Sequence, residues 1–160
     1  MKTKEKVYVE TSVISYFTGR KTKDVIISAR QKLTKIWWET ISNKYEAFIS
    51  PYVIEEISKG NEKFSEKRLN AVKSFDVLSS SPEIEELAEE YFKKLKIPEK
   101  AFFDCNHLAC AVISGMDIIV SWNFKHIVNF DKIRLYNSVN LKHGYRIIEI
   151  RNPRDLTDEN

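Results

Sequence analysis

Ile118-Ile119-Val120-Ser121 is the clearest strand signal in the chain. It is short, β-branched and apolar, which is typical of a strand buried on both faces of a parallel sheet. The apolar segment 101–114 precedes it and predicts a buried helix that ends at Gly115. A helix that leads directly into a buried strand is the repeating unit of an α/β fold.

Three other segments predict strands outside this stretch. Residues 7–9 (Val-Tyr-Val) form a short apolar run that ends at Glu10, and residues 47–50 (Ala-Phe-Ile-Ser) form a second one. Residues 145–150 predict the last strand, and residues 77–78 predict either a short strand or an extended connection.

Helical spacing of apolar residues fills the intervals between the strands. It predicts helices at 24–43, 52–59, 62–75, 83–96 and 131–142. A first short helix follows Glu10, and either Thr11 or Ser12 is expected to cap it. Because strands alternate with helices, we expect a three-layer α/β/α sandwich with a central, mostly parallel sheet.

Length and composition indicate an ordinary globular protein. The 160 residues predict one domain over 1–154 and a polar tail over 155–160. A net charge of +3 tolerates a polyanionic partner without requiring one. Cys105 and Cys110 are expected to be small buried thiols, and neither zinc spacing nor a long apolar run is present. A cytoplasmic protein without a membrane partner is the expectation.

Carboxylates follow the predicted strands. In an open parallel sheet, sites form beyond the carboxyl ends of the strands. Glu10 ends the first strand, Glu56 lies on the helix after the second, and Asp104 begins the apolar helix before 118–121. Glu10 alone could serve a helix dipole and Asp104 alone could cap its helix, so only their joint placement carries weight.

Clustered carboxylates repel one another and lose hydration, so a hard divalent cation is their simplest compensation. Mg²⁺ or Mn²⁺ takes oxygen ligands, polarises phosphoryl oxygens and supplies hydroxide near neutral pH. The predicted chemistry is therefore phosphodiester hydrolysis.

Four segments also carry a family resemblance. They are Val-Tyr-Val-Glu-Thr-Ser at 7–12, Ser-Pro-Tyr-Val-Ile-Glu-Glu-Ile at 50–57, Asp-Cys-Asn-His-Leu-Ala-Cys-Ala at 104–111 and Gly-Met-Asp-Ile-Ile-Val-Ser-Trp-Asn-Phe-Lys-His-Ile at 115–127. These segments resemble PIN domains, and among them the VapC-type toxin branch with Trp-Asn after the fourth strand. The resemblance extends essentially from end to end and implies a Mg²⁺- or Mn²⁺-dependent ribonuclease.

The resemblance assigns the acidic positions to Glu10, Glu56 and Asp104, with Asn123 at the fourth. Glu10 stands where the family usually has the shorter Asp. Asn123 removes a charge, although it could still offer a carbonyl oxygen or hold a metal-bound water. Fewer negative charges are expected to weaken ion binding.

Other residues have supporting roles in this interpretation. Ser12 or Thr11 matches a hydroxyl that supports the first acid, and His107 shares a helix face with Asp104. Contacts with RNA are predicted for three neighbouring side chains, with packing as the alternative for the first: Trp122, Lys125 and His126.

Two classes of function remain open. The first is an endoribonuclease that is the toxin of a type II toxin–antitoxin pair, with RNA, a cognate antitoxin and a possible second copy as partners. The second is a PIN-like module that binds RNA or protein with weak or no catalysis, suggested by Glu10 and Asn123. A nuclease that processes structured RNA or DNA differs from the first only in substrate.

Overall fold

The computed structural model describes residues 3–157. Within that range the strands are β1 Glu5–Val9, β2 Tyr45–Ile49, β3 Asp76–Val77, β4 Ile118–Val120 and β5 Glu149–Arg151. The helices are α1 Thr11–Thr18, α2 Val25–Trp38, α3 Ile41–Lys44, α4 Pro51–Ile57, α5 Glu62–Ala71, α6 Pro82–Leu95, α7 Phe102–Ile113 and α8 Phe130–Lys142. One 3₁₀ turn, Glu99–Ala101, leads into α7.

The strands form one sheet in the order β3-β2-β1-β4-β5, and all four neighbouring pairs are parallel. The central strand is β1, whose Val7 is paired with Ala47 of β2 and with Ile118 of β4. The carboxyl ends of these three strands therefore meet at one edge, where the sequence places its acids.

Helices cover the sheet in two packed groups. In one group α1 contacts α2, α4 and α5, and in the other α6 contacts α7 and α8. Buried side chains from both groups and the sheet form the core, including Tyr8, Trp37, Leu108 and Ile119. The predicted α/β fold with a central parallel sheet is confirmed.

Two of the differences from the predicted element boundaries have a visible cause. The helix expected over 24–43 is divided after Trp38, because the backbone N–H and the hydroxyl of Thr40 both donate to the carbonyl of Trp37. The last strand covers only Glu149–Arg151, because the N–H and C=O of Ile148 bind the side-chain amide of Asn137 on α8.

Three further expectations concern the C-terminal tail, the two cysteines and membrane-spanning helices. Of the predicted polar tail, residues 158–160 lie outside the described residues, and the hydroxyl of Thr157 donates to the carbonyl of Pro153. Cys105 and Cys110 are buried free thiols, as predicted. Over residues 3–157, no helix combines the length and apolar character needed to cross a bilayer.

Candidate active site

Glu10 is positioned by the central strand. Its backbone N–H donates to the carbonyl of Val120, which fixes the end of β1 against β4. Its side chain is only 4% exposed and itself caps α1, accepting from the backbone N–H of Ser12 at 3.1 Å. The hydroxyls of Ser12 and Ser121 each donate to Oε1 at 2.5 Å. The prediction that Thr11 or Ser12 caps this helix is therefore wrong, and Ser12 instead supports the carboxylate.

Glu56 faces Glu10 from helix α4. Its Oε1 accepts hydrogen bonds from the hydroxyl of Thr11 and from Nε2 of His107, both at 2.6 Å. Burial acts to raise the pKa of Glu56, but the hydrogen bond and the charge of His107, together with Thr11, outweigh it and lower the pKa below its usual value. Glu56 is therefore held ionised. Thr11, predicted to support the first acid, supports this second acid instead.

His107 lies fully buried on α7, between Glu56 and the sheet. Burial acts to lower its pKa, but the hydrogen bond to Glu56 and the charges of Glu10, Glu56 and Asp104 outweigh this and raise it. Both ring nitrogens are engaged, Nε2 with Glu56 and Nδ1 with the hydroxyl of Tyr8 at 2.6 Å. His107 therefore has no free nitrogen for a metal ion and serves as a support.

Asp104 lies one helical turn before His107 on the same face of α7. Burial, followed by the charge of Glu10, raises its pKa from 3.8 to about 6, although His107 and a hydrogen bond from Asn123 act in the opposite direction. Burial is the first cause of this shift, and the negative charges of Glu10 and Glu56 add to it.

Asn123 follows β4 and organises the turn over residues 123–128. Its Oδ1 accepts from the backbone N–H of His126 at 2.9 Å, and its carbonyl accepts from Ile127 and Val128. Its side chain also hydrogen-bonds to Asp104. Because an ionised carboxylate can only accept, the Asn123 amide N–H donates in this contact. Oδ1 has a second lone pair, so the role predicted for it toward a metal-bound water stays a prediction.

The donor set fits a hard divalent cation. Carboxylate oxygens of Glu10 and Glu56 and a ring nitrogen of His107 all lie within 4.8 Å of one another. Among the described residues Oε2 of Glu56 accepts no hydrogen bond. Asp104 is not part of the 4.8 Å group, but burial and the charges of Glu10 and Glu56 raise its pKa. With both nitrogens of His107 engaged, the closest oxygen ligands are those of Glu10 and Glu56, which Mg²⁺ and Mn²⁺ prefer, and Asp104 adds its carboxylate beside them.

The three side chains predicted to contact RNA differ in how far they are exposed to solvent. Trp122 is only 6% exposed, and its indole N–H donates to the hydroxyl of Thr34, so stacking on a base is excluded. His126 is buried as well, with Nδ1 3.3 Å from Nζ of Lys132. Lys125 is exposed, as an RNA contact requires.

Phe124 is the exposed ring that the sequence reasoning missed. It is 39% exposed, directly follows Asn123, and lies edge-on to Trp122 with the ring centres 5.9 Å apart. The guanidinium carbon of Arg30 lies 5.0 Å from its ring centre. Its position in a polar turn after a buried strand was the available signal, since an aromatic residue there needs either a packing partner or a ligand.

Ser121 was also missed as a site residue. Its hydroxyl donates to Glu10 and accepts from the backbone N–H of Asn123 at 2.9 Å, so it connects the first acid to the fourth position. A serine directly after a buried strand was a visible signal, but its partner lies 111 residues away in the sequence.

Comparisons with known proteins agree with this geometry. The family model described as PIN domain matches residues 7–132. No curated protein matches the chain. The VapBC2 structure from Rickettsia felis, bound to a DNA fragment from their promoter, matches with a TM-score of 0.61 and 13% identity, covering 92% of this chain and 98% of that one.

A second solved structure is VapC20 from Mycobacterium tuberculosis, a toxin that cleaves the sarcin–ricin loop. It matches with a TM-score of 0.56 and 16% identity, covering 74% of this chain and 91% of that one. Identities this low show a shared fold, whereas the family model spans most of the sequence and includes every acid of the site. The chain belongs to the PIN domain family.

Proposed function

We propose that this protein is a Mg²⁺- or Mn²⁺-dependent endoribonuclease and the toxin of a type II toxin–antitoxin pair. The observation that carries the proposal is the pair of carboxylates Glu10 and Glu56, which offer oxygens within 4.8 Å of each other, with Asp104 near enough for the charges of both to raise its pKa. Within the described residues, His107 and Lys59 act on Glu56 and His107 acts on Asp104, yet the pKa of Asp104 stays raised, which favours a cation at the site.

The chain's own residues prepare this site. A bound divalent ion supplies Lewis acidity and a hydroxide near neutral pH. Ser12 and Ser121 hold Oε1 of Glu10, while Thr11 and His107 hold Oε1 of Glu56, so each carboxylate keeps one fixed orientation.

Asp104 has a different role from the two glutamates. With a pKa of about 6, it can hold a proton in the metal-free protein and release it when a cation arrives. The Asn123 amide keeps the carboxylate oriented through that change, because it donates to Asp104.

RNA is the proposed substrate. Phe124 offers an exposed ring and Lys125 an exposed cation beside Asn123, and stacking combined with cationic contacts is how proteins hold unpaired RNA. The similar VapC20 is a toxin that cleaves the sarcin–ricin loop, which supports the proposed substrate class here.

A cognate antitoxin is the proposed partner. The similar VapBC2 structure is a toxin–antitoxin assembly on promoter DNA, so a regulatory complex of that kind is part of the proposal. A homodimer and a cytoplasmic location are proposed by the same analogy.

Neighbouring acids on one helix provide the test. Glu55 and Glu56 are adjacent on α4, but Glu55 is exposed and lies 3.8 Å from Lys59, away from the carboxylate cluster. With Mn²⁺ or Mg²⁺ and single-stranded RNA, we expect Glu56→Gln and Asp104→Asn to reduce cleavage about 100-fold, whereas Glu55→Gln stays within about twofold of wild type. Equal cleavage by Glu56→Gln and wild type would overturn the proposal.

A binding module with weak or no catalysis is the second candidate function. The observation that favours it is the amide of Asn123 at the fourth position, which donates to Asp104 where another acid would attract the ion. Calorimetry distinguishes the two functions. Absence of Mn²⁺ binding at millimolar ion, together with retained RNA binding, would favour the binding module.

A further inference from the structure

Behind Glu56 runs a chain of hydrogen bonds that the proposed function does not yet use. The backbone N–H of Val53 donates to the Ser50 hydroxyl at 3.3 Å, and that hydroxyl lies 2.6 Å from the hydroxyl of Tyr8. The Tyr8 hydroxyl lies 2.6 Å from Nδ1 of His107, whose Nε2 lies 2.6 Å from Oε1 of Glu56. Ser50, Tyr8 and His107 are all completely buried.

This chain begins and ends on the same helix. Ser50 is the N-cap of α4, and Glu56 lies near the end of that helix, while the two intermediate groups come from β1 and α7. The chain therefore ties the orientation of α4 to the central strand and to the helix that carries Asp104. A shift of any one element would change the position of the Glu56 carboxylate.

The ring orientation of His107 is determined by its two partners. Glu56 is ionised and can only accept, so Nε2 carries a hydrogen in every protonation state of the ring. The Tyr8 hydroxyl can either donate to Nδ1 or accept from it. Tyr8 therefore keeps Nδ1 paired in each state, and the imidazole can neither rotate nor present a lone pair to Glu56.

Packing alone does not account for these groups. Replacing hydrogen-bonded polar groups by apolar side chains of similar shape is often nearly neutral for stability. A phenylalanine at position 8 and an apolar residue at position 107 would fill the same space without burying three polar side chains. Their common end point is Oε1 of Glu56, whereas Oε2 accepts no hydrogen bond from the described residues.

We propose that Tyr8 and His107 are positioning residues that hold Oε1 of Glu56, so that Oε2 is presented to the metal ion. The inference rests on the proposed metal site and adds Tyr8, with Ser50 behind it, as determinants of metal affinity. Removing an outer partner of a metal-binding carboxylate typically weakens metal binding by 10- to 100-fold.

A matched pair of tyrosines gives the experiment. Tyr8 and Tyr91 are both completely buried and both use the hydroxyl in a hydrogen bond, but Tyr91 bonds to Asn140 between α6 and α8. We expect Tyr8→Phe to weaken calorimetric Mn²⁺ binding roughly tenfold and Tyr91→Phe to leave it within about twofold. RNA cleavage by Tyr8→Phe should recover when the Mn²⁺ concentration is raised about tenfold, because the defect lies in metal affinity.

A second pair of variants covers the case in which Tyr8→Phe does not fold. His107→Gln keeps an N–H donor for Glu56, and His107→Leu does not, so Mn²⁺ binding by the Gln variant should be several times tighter. Equal Mn²⁺ affinities for wild type and Tyr8→Phe, or for the two His107 variants, would overturn the inference while leaving the nuclease intact. Failure of the wild type to bind Mn²⁺ would overturn the proposed function itself.

Discussion

Ionisation of Asp104 is disfavoured in the folded chain. Burial and the charge of Glu10 raise its pKa to about 6, against about 4 in an unfolded chain. The folded protein therefore binds this proton more tightly than the unfolded chain does. Its contribution to stability is fully present below about pH 4 and is lost as the pH rises through about 6.

This linkage predicts the behaviour of Asp104→Asn in EDTA. Near pH 8 the variant should be more stable than wild type by about 1–2 kcal/mol, a value reduced from the full shift because the side chain is partly exposed. Near pH 5 the difference should be smaller. Urea unfolding at both pH values measures it, with Glu55→Gln as the control, and a difference independent of pH would contradict the assigned pKa.

Asn123 controls the charge of the site through the same carboxylate. Its amide donates to Asp104 while its carbonyl oxygen holds the N–H of His126. An aspartate at this position could keep the contact with His126, but it would place a second negative charge beside Asp104. Two neighbouring carboxylates attract a cation more strongly and also hold protons more tightly.

We therefore expect Asn123→Asp to bind Mn²⁺ about tenfold more tightly than wild type at pH 8. The gain should shrink near pH 6, because the added charge raises the pKa of Asp104 further. Calorimetric titration at the two pH values measures both effects. Asn123→Ala is the control, since it removes the amide without adding charge, and comparable tightening by the alanine variant would refute the charge argument.

The placement of Glu10 and Asn123 after strands could be predicted from the sequence, but the hydrogen-bond partners of the site residues could not. Glu10 and Asn123 follow short apolar strands, and the order of residues alone places them at the edge of a sheet. The contact between Tyr8 and His107 joins residues 99 apart, and it depends on how α7 packs against β1. Local sequence patterns carry no information about contacts between residues that are so far apart in the chain.

At the level of single elements, the turn over residues 123–128 determines which side chains beside the candidate site are exposed. Asn123 closes the turn with three hydrogen bonds, and Trp122 is fixed inward by Thr34. Phe124 is therefore left outward, with Arg30 against its ring. The sequence marks this turn as aromatic and basic, but alternation of inward and outward side chains does not extend into an irregular turn.

Stacking of an RNA base on Phe124 can be tested by comparison with a second exposed aromatic ring, Phe130. Phe130 is 75% exposed, has Arg134 against its ring, and begins α8, which supplies no carboxylate to the site. In an Asp104→Asn background that does not cleave, we expect Phe124→Ala to weaken binding of single-stranded RNA about tenfold. Fluorescence anisotropy measures the affinity. Equal losses from Phe124→Ala and Phe130→Ala would show that neither ring has a specific role.

The division between α2 and α3 shows a similar limit of sequence patterns. The residues from Val25 to Lys44 contain neither proline nor glycine, so the pattern predicted one helix. The division arises because Thr40 folds back onto the carbonyl of Trp37, and Trp37 is held in the core by burial. The break is therefore a consequence of tertiary packing.

Over the whole molecule, the parallel sheet and its helices followed from the alternation of elements, but the order of the strands did not. The sequence does not state that β1 lies between β2 and β4, although this arrangement brings Glu10 beside Ser121 and Glu56. The same arrangement also determines where on the protein the excess positive charge, +3 in total, is located. Burial, with the charges of Lys132, Lys125 and Lys100, lowers the pKa of His126, so cations from three segments gather beside the turn that holds Asn123.

These cations predict how RNA binding depends on salt. Nζ of Lys132 donates to the carbonyl of Lys125 and so has a structural role, which leaves Lys100 and Lys125 for phosphate groups. If each neutralises one phosphate of single-stranded RNA, Lys100→Gln and Lys125→Gln should each reduce the slope of log affinity against log salt concentration by about 0.7.

The control for this experiment is Lys142→Gln. Lys142 is an exposed cation at the other end of α8, roughly 18 Å along the helix from its first residue. It changes the net charge by the same amount without lying beside the site, so it should leave the slope unchanged. A decrease in slope of the same size for all three variants would mean that RNA responds only to total charge, and the cations near Asn123 would then have no special role in holding the substrate.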